Sequence, residues 1–214
     1  MTDAPPLLAR VQMPEKGVFA VRCPNSGFAK GQAVVVNLGY GPDLGMVLGL
    51  ESYDPAVHGP TVPGYQLVRA KTDDDAAAEE ANARRCDTWK EEFLVLARDK
   101  ADDIRILHMR LSLGRQRLFV WYATSVKRCD LTALARDFGQ RRNVQVFVRQ
   151  LGPRDEVCLV GGLGPCGRPC CCATWQTRYP TGLTPDRIRG KDCASAQLNG
   201  ICGRYKCCLA FESW

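Results

Sequence analysis

The sequence predicts an α+β protein in three parts. These are a small N-terminal antiparallel β module (10–64), a ferredoxin-like β-α-β-β-α-β core (65–151) and a cysteine-rich metal-binding segment (152–214). Three observations carry that reading. Short β-branched runs cut by glycine and proline fill the first part. Helical spacing alternates with period-two runs in the middle. Nine of the twelve cysteines fall in the last part, where periodicity is weak.

In the first module, residues 18–21, 33–38 and 45–50 read as strands. Pro24-Asn25-Ser26-Gly27 and Gly39-Tyr40-Gly41-Pro42-Asp43 supply the turns. The three prolines of 54–64 read as a linker. Residues 65–70 open the core as a strand, and 73–103 follow as a long helix. Asp73, Asp74 and Asp75 suit its positive N-terminal end. Cys86, Trp89, Phe93, Leu96 and Lys100 recur at three- and four-residue steps along one face. A hairpin of 104–112 and 117–125 turns at Leu113-Gly114. A second helix over 130–142 presents Leu131, Leu134, Ala135 and Phe138. Val144, Val146 and Val148 alternate in the last strand, which completes the split order. After it, 156–160 reads as one more strand.

Composition narrows the function class. At 214 residues, 45% hydrophobic and 24% charged, the chain is ordinary for a globular protein except in cysteine. The first 17 residues show no basic start followed by an apolar run, and no stretch approaches the roughly 18 apolar residues of a membrane helix. A cytoplasmic protein without membrane insertion is expected, and reduced clustered thiols there point to metal. Residues 1–103 hold 11 Lys/Arg against 16 Asp/Glu, a net of −5; residues 104–214 hold 18 against 7, a net of +11. The basic half suits an anionic partner, RNA among them, or simply a solvated arginine-rich surface.

The chemistry lies in a repeat. Cys166-Gly167-Arg168-Pro169-Cys170-Cys171-Cys172 and Cys202-Gly203-Arg204-Tyr205-Lys206-Cys207-Cys208 share Cys-Gly-Arg-x-x-Cys-Cys at an offset of 36 residues. Cys166, Cys171 and Cys172 thus match Cys202, Cys207 and Cys208. Cys170 is an additional thiol with no match in the repeat, and Cys193 lies between the motifs. Thiolates suit zinc, copper(I) or iron–sulfur clusters. Gly167 and Gly203 allow a tight turn around a metal, and Arg168 and Arg204 offset thiolate charge. A vicinal Cys-Cys pair is unusual for a single zinc ion, so a cluster is favoured, with zinc or redox-active thiols as alternatives. Cys23, Cys86, Cys129 and Cys158 stand alone in apolar surroundings and read as small buried hydrophobes.

Two patterns in the same place are decoys. Gly162-Leu163-Gly164-Pro165-Cys166-Gly167 fits G-x-G-x-x-G, with Asp186 near the ribose-binding position. Pro169 and three cysteines are a poor helix opening, however, and Arg168 and Pro169 replace the lysine and hydroxyl of a phosphate loop. With only His58 and His108 in the chain, nothing argues for a catalytic constellation, and no enzyme is expected.

The chain resembles the polymerase-suppressor (PSP) C-terminal domain family. Cys129-Asp130-Leu131, Leu134 to Phe138, Val148-Arg149-Gln150-Leu151-Gly152-Pro153-Arg154-Asp155-Glu156, Gly161-Gly162-Leu163-Gly164-Pro165 and Asn199-Gly200-Ile201 carry the likeness, together with both cysteine motifs. Bacterial members include a subunit of a regulatory iron–sulfur complex. The resemblance implies a non-catalytic chain that joins small helical partner subunits and shares [4Fe-4S] clusters with them. It implies action on mRNA maturation through an RNase Y-type endoribonuclease. Carried over by position, the ligands are Cys166, Cys171, Cys172, Cys202, Cys207 and Cys208. Cys170 departs from the family, which has an apolar residue there, as does 184–197, where relatives keep a basic helix. The alternatives are a zinc-stabilised nucleic-acid-binding module, in which Trp121 and Tyr122 could stack bases, and a thiol redox sensor.

Overall fold

A computed structural model describes residues 6–14, 17–176 and 198–210. Five strands close a barrel in the order β1-β2-β5-β3-β4: β1 (Leu7–Met13), β2 (Gly17–Arg22), β3 (Ala33–Asn37), β4 (Pro42–Ser52) and β5 (Gln66–Ala70). Alternation in β1 turns Ala9, Val11 and Met13 inward and leaves Arg10 and Gln12 outside. They meet Val21, Val34, Val36, Val47 and Leu67, all fully buried, in the barrel core. The long β4 serves both β1 and β3, and at Gly45 a Cβ would overlap the Val11 side chain. The 54–64 stretch holds only a short helix, α1 (Pro55–His58).

The protein is α+β, but the ferredoxin-like order is not what its sheets show. The strand expected to open the core is β5, and it lies in the barrel. It pairs antiparallel with β3 (Val35↔Arg69) and touches β2 at Arg22↔Gln66. Closure leaves the barrel without a free edge, which is the advantage β5 gains there. The second sheet therefore has three strands, β6 (Arg105–Leu111), β7 (Arg117–Ala123) and β8 (Gln145–Gln150), in that order. β6 and β7 form the expected hairpin, while β8 runs parallel to β7 after a helical crossover.

Two helices cover one face of this sheet, α2 (Asp73–Arg98) and α3 (Thr132–Arg142). Thr72 and Asp75 form a capping box that starts α2. Phe93 and Phe138 are among the largest fully buried side chains and meet edge to face at 5.3 Å, with Trp89 edge-on to Phe138 at 6.1 Å. Leu118, Val120 and Tyr122 come up from β7 to meet them. Tyr122 is thus core, not a stacking platform. On the other face, Trp121 lies beside His108 and opposite Arg149, and Phe119 stacks on Phe147.

One buried ion pair ties the barrel to the sheet. Arg110 of β6 makes a two-armed contact with Asp43 of β4 at 2.8 and 2.9 Å, and Asp43 is fully buried. The carboxylate also accepts from the Leu44 N–H (3.0 Å) and the Tyr40 hydroxyl (3.1 Å). Arg117 lies 3.8 Å above the Tyr40 ring at the same junction.

Candidate metal centre

The site begins with a helix where sequence pattern suggests a strand. Residues 156–160 belong to α4 (Pro153–Val160). Pro153 stands at its first turn, where a missing N–H costs nothing, and Asp155 and Glu156 complement the helix start. Gly161, at φ 79°, ends it. The apolar run Val157 to Val160 is therefore the last turn of a short helix. The glycine-rich run after it follows no strand, and this removes the context a dinucleotide fingerprint needs.

Beyond α4 the two motifs fold as copies of one unit. In the first, Gly164 N–H donates to the Arg168 carbonyl (2.8 Å) and Gly167 N–H to the Gly164 carbonyl (2.9 Å). In the second, Gly200 donates to Arg204 (2.8 Å) and Gly203 to Gly200 (3.0 Å). Cys170 N–H donates to the Gly162 carbonyl as Lys206 N–H donates to that of Leu198, again 36 residues apart. Isolated bridges Leu163↔Pro169 and Asn199↔Tyr205 repeat too. Gly167 and Gly203 take φ 74° and 72°, a left-handed turn open to glycine and resisted by other residues. Each unit then ends in a 3-10 turn that carries its vicinal cysteines, Cys171–Ala173 and Cys207–Ala210.

The two units face each other across a cavity of about 60 Å³. Cys166, Cys171, Cys172, Cys202, Cys207 and Cys208 all line it, as does Cys170. Pro165, Ile201 and Tyr205 complete much of the wall, with Val157 from α4 and Lys206. Such a volume is far below the 300–1,000 Å³ of organic ligand pockets and suits a small inorganic group. Among the described residues, no three thiol, imidazole or carboxylate groups meet closely enough to hold one metal ion. The thiols surround a space instead.

Depth within the cavity differs among them. Cys166 is exposed, whereas Cys170, Cys172 and Cys207 are buried. Burial pushes the Cys172 thiol up to about 11, and the neighbouring Cys158, Cys207 and Cys170 thiols add to the rise. Cys170 is likewise raised, first by burial and then by Cys202, Cys166 and Cys207. Thiolates brought this close repel one another, and a bound cation relieves that repulsion.

α4 holds both units. Its Cys158 Sγ–H donates to the Cys172 carbonyl at 2.8 Å, and its Arg154 Nη2 donates to the Tyr205 carbonyl at 3.3 Å. Arg154 is buried, and its Nε has no hydrogen-bond partner. Arg168 and Arg204 point outward and line no part of the cavity; their carbonyls, not their guanidinium groups, serve the turns. Cys23, Cys86 and Cys129 are buried apart from the motifs, as expected of small hydrophobes, while Cys158 is half-buried beside them. Cys193, Asp186 and the 184–197 stretch lie outside the described residues. Sequence reasoning missed Arg154, Cys158 and Lys206. The Pro153 helix start and the Cys170–Lys206 pairing at offset 36 were the signals that could have found them.

The chain is similar to the Stage 0 sporulation protein YaaT of Bacillus subtilis (strain 168), with 25% identity over 181 residues. The likeness supports a YaaT-like family. The aligned part is 84% of this chain and 65% of YaaT, so the chain spans less than two thirds of the relative it matches. No family model matches the chain, and no solved structure matches it significantly. No described helix is long and apolar enough to cross a membrane.

Proposed function

We propose that this YaaT-like chain is a non-catalytic regulatory protein that holds an iron–sulfur cluster, of [4Fe-4S] type, between its two Cys-Gly-Arg-x-x-Cys-Cys motifs. One observation carries the reading: two copies of the same backbone turn face one small cavity walled by seven thiols. Soft ligands spread around a space suit a polynuclear group better than one tetrahedral ion. Cys166, Cys171, Cys172, Cys202, Cys207 and Cys208 form the pool of ligands. When bound, a cluster supplies an oxygen- and redox-sensitive link between the motifs. The protein's own part is to position the thiols, bury Cys170, Cys172 and Cys207 and place the Lys206 cation beside them.

The likeness to YaaT, also called RicT, extends the reading to a cytoplasmic role. The chain would act in mRNA processing with RNase Y-type machinery and small helical partner subunits. Anaerobic purification tests the centre. Stoichiometric iron and acid-labile sulfide with a brown chromophore are expected. A colourless protein that holds only zinc, even after anaerobic reconstitution, would refute it.

A second reading draws on the open sheet face. Trp121, Arg149 and the half-exposed Phe147 would stack and neutralise single-stranded RNA, with zinc in place of the cluster. RNA affinity that falls steeply with salt would favour it.

A further inference from the structure

The three-stranded sheet has one guarded edge and one open edge. On the β6 side, Glu156 of α4 pairs with Arg105 at 2.8 Å, and the barrel holds Arg110 through Asp43. On the β8 side, no described strand pairs with the outer edge. The bonds at the two ends of β8 show which groups are left over. Gln145 N–H donates to the Gln116 carbonyl and Leu151 N–H to the Tyr122 carbonyl, both at 2.8 Å. A strand repeats every two residues, so the odd positions serve β7, and Val146 and Val148 turn their N–H and C=O groups outward. Among the described residues these outward groups have no partner.

Beside that edge runs an open groove of about 660 Å³ between α3 and β8. Ala135, Gly139, Val146 and Val148 give it an apolar wall. On the opposite face of the sheet Phe147, between the two valines, is 38% exposed. A strand added here would cover both surfaces, with alternate side chains in the groove and the others on Phe147. Charge says what kind of strand fits. Among the described residues no carboxylate lines the groove, whereas Arg136 does. Arg136 and Arg149 are exposed and form no ion pair with any described residue, and Asp137, the one acid of α3, is taken by Arg141 at 2.7 Å. Gln150 ties the 126–129 loop to the end of β8 through Val126 and Cys129, which brings the exposed Lys127 and Arg128 close by. A second copy of this chain would set cations against cations here, while an acidic partner neutralises them.

We propose that the β8 edge takes an extended, acidic segment of another protein as a fourth, antiparallel strand. The proposal goes beyond the cluster reading and does not depend on it. The backbone of the segment bonds to Val146 and Val148, its apolar residues at every second position fill the groove, and Asp or Glu at its ends meet Arg136 and Arg149. Antiparallel pairing is the stronger kind, and it sets the groove-facing residues directly opposite the valines with their own N–H groups aimed at β8. An alternating row of N–H and C=O groups matches a polypeptide backbone better than a chain of phosphates, which offers acceptors alone.

The test selects short random-sequence peptides, displayed on phage, against the immobilised full chain. Alternating apolar residues flanked by Asp or Glu are expected to be enriched; no enrichment, or peptides without that pattern, would overturn the proposal. The leading peptide is then synthesised and its affinity read by fluorescence anisotropy, beside copies N-methylated at the groove-facing residues or at the residues between them. The first copy should bind at least about tenfold more weakly and the second should not, because only the first loses hydrogen bonds to β8. Equal binding by both copies overturns the strand geometry. On the protein side, Val148→Pro removes an outward N–H and no bond to β7, and Arg136→Glu with Arg149→Glu reverses the charge. Thermal melting confirms that the variants fold, and each should weaken binding by about tenfold or more; wild-type affinity in either folded variant counts against the proposal. The N-methylated peptides leave the protein unaltered, so they decide the matter if Val148→Pro does not fold. Two other results overturn it by naming another occupant. One is a wild-type dimer in sedimentation that Val148→Pro turns into a monomer. The other is a single-stranded RNA oligomer that displaces the peptide and no longer binds the double arginine variant.

Discussion

Arg110→Met tests how the barrel and the helical layer are held together. The substitution keeps the aliphatic volume and removes the cation, so that Asp43 stays fully buried without its ion-pair partner. Breaking one half of a buried pair costs about 3–5 kcal/mol. Two features favour the low end. The Arg110 side chain is 21% exposed, so water already screens part of the attraction, and Asp43 keeps its bonds from Leu44 N–H and Tyr40 O–H. The expected loss is about 3 kcal/mol, or about 6–12 °C in melting temperature for a chain of this size. Urea denaturation with the slope held free, together with calorimetry, measures it. Asp43→Asn added to Arg110→Met removes the orphaned charge while the amide oxygen still accepts from Leu44, and at least half of the loss should return. A single variant within 1 kcal/mol of wild type, or a double variant no better than the single one, would refute the argument.

Two further outcomes follow from local geometry. Gly203→Ala and Gly167→Ala force an alanine into the left-handed turn, and no atom lies within 4 Å of either added Cβ, so the cost is conformational. Both should lose about 1–2 kcal/mol in thermal melting, alike in the two motifs, with Asn in either place milder than Ala. The Arg69 guanidinium first, and then the Thr72 N–H and hydroxyl, hold the Asp75 carboxyl well below the usual carboxylate range. A depressed folded value means that its stabilisation is complete above the unfolded value near 4 and is lost as pH falls through the folded one. Asp75→Asn should therefore cost about 1 kcal/mol at pH 7, and its deficit in urea denaturation should narrow at pH 3; a constant deficit would count against the cap.

Local pattern showed most of the elements and little of their pairing. The faces of α2 and α3 were legible because Phe93, Phe138 and their neighbours recur at helical spacing. β5 was legible as a strand but not as a barrel strand. Its partners β2 and β3 lie tens of residues away, and alternation does not say which edge a strand will meet. α4 was misread because four apolar residues in a row fit a strand as well as a helix end. Only the proline before them and the glycine after them mark the difference. In the site, spacing alone exposed the matched triplets. Cys170 looked like a surplus because the motif was read as cysteines only. The backbone hydrogen bonds pair it with a lysine, and no count of thiols could show that.

The repeated turn has a consequence for what kind of site can form. A cavity between two identical subunits must carry the same side chain at equivalent points on both walls. Two copies on one polypeptide escape that rule, because each can change alone. Cys170 and Lys206 occupy equivalent points and differ in charge, hardness and reach. The chamber therefore has a direction, with a thiol-rich wall and a wall that carries an ammonium. A group held there would meet unlike surroundings on its two sides, a polarity that a symmetric pair of chains cannot impose.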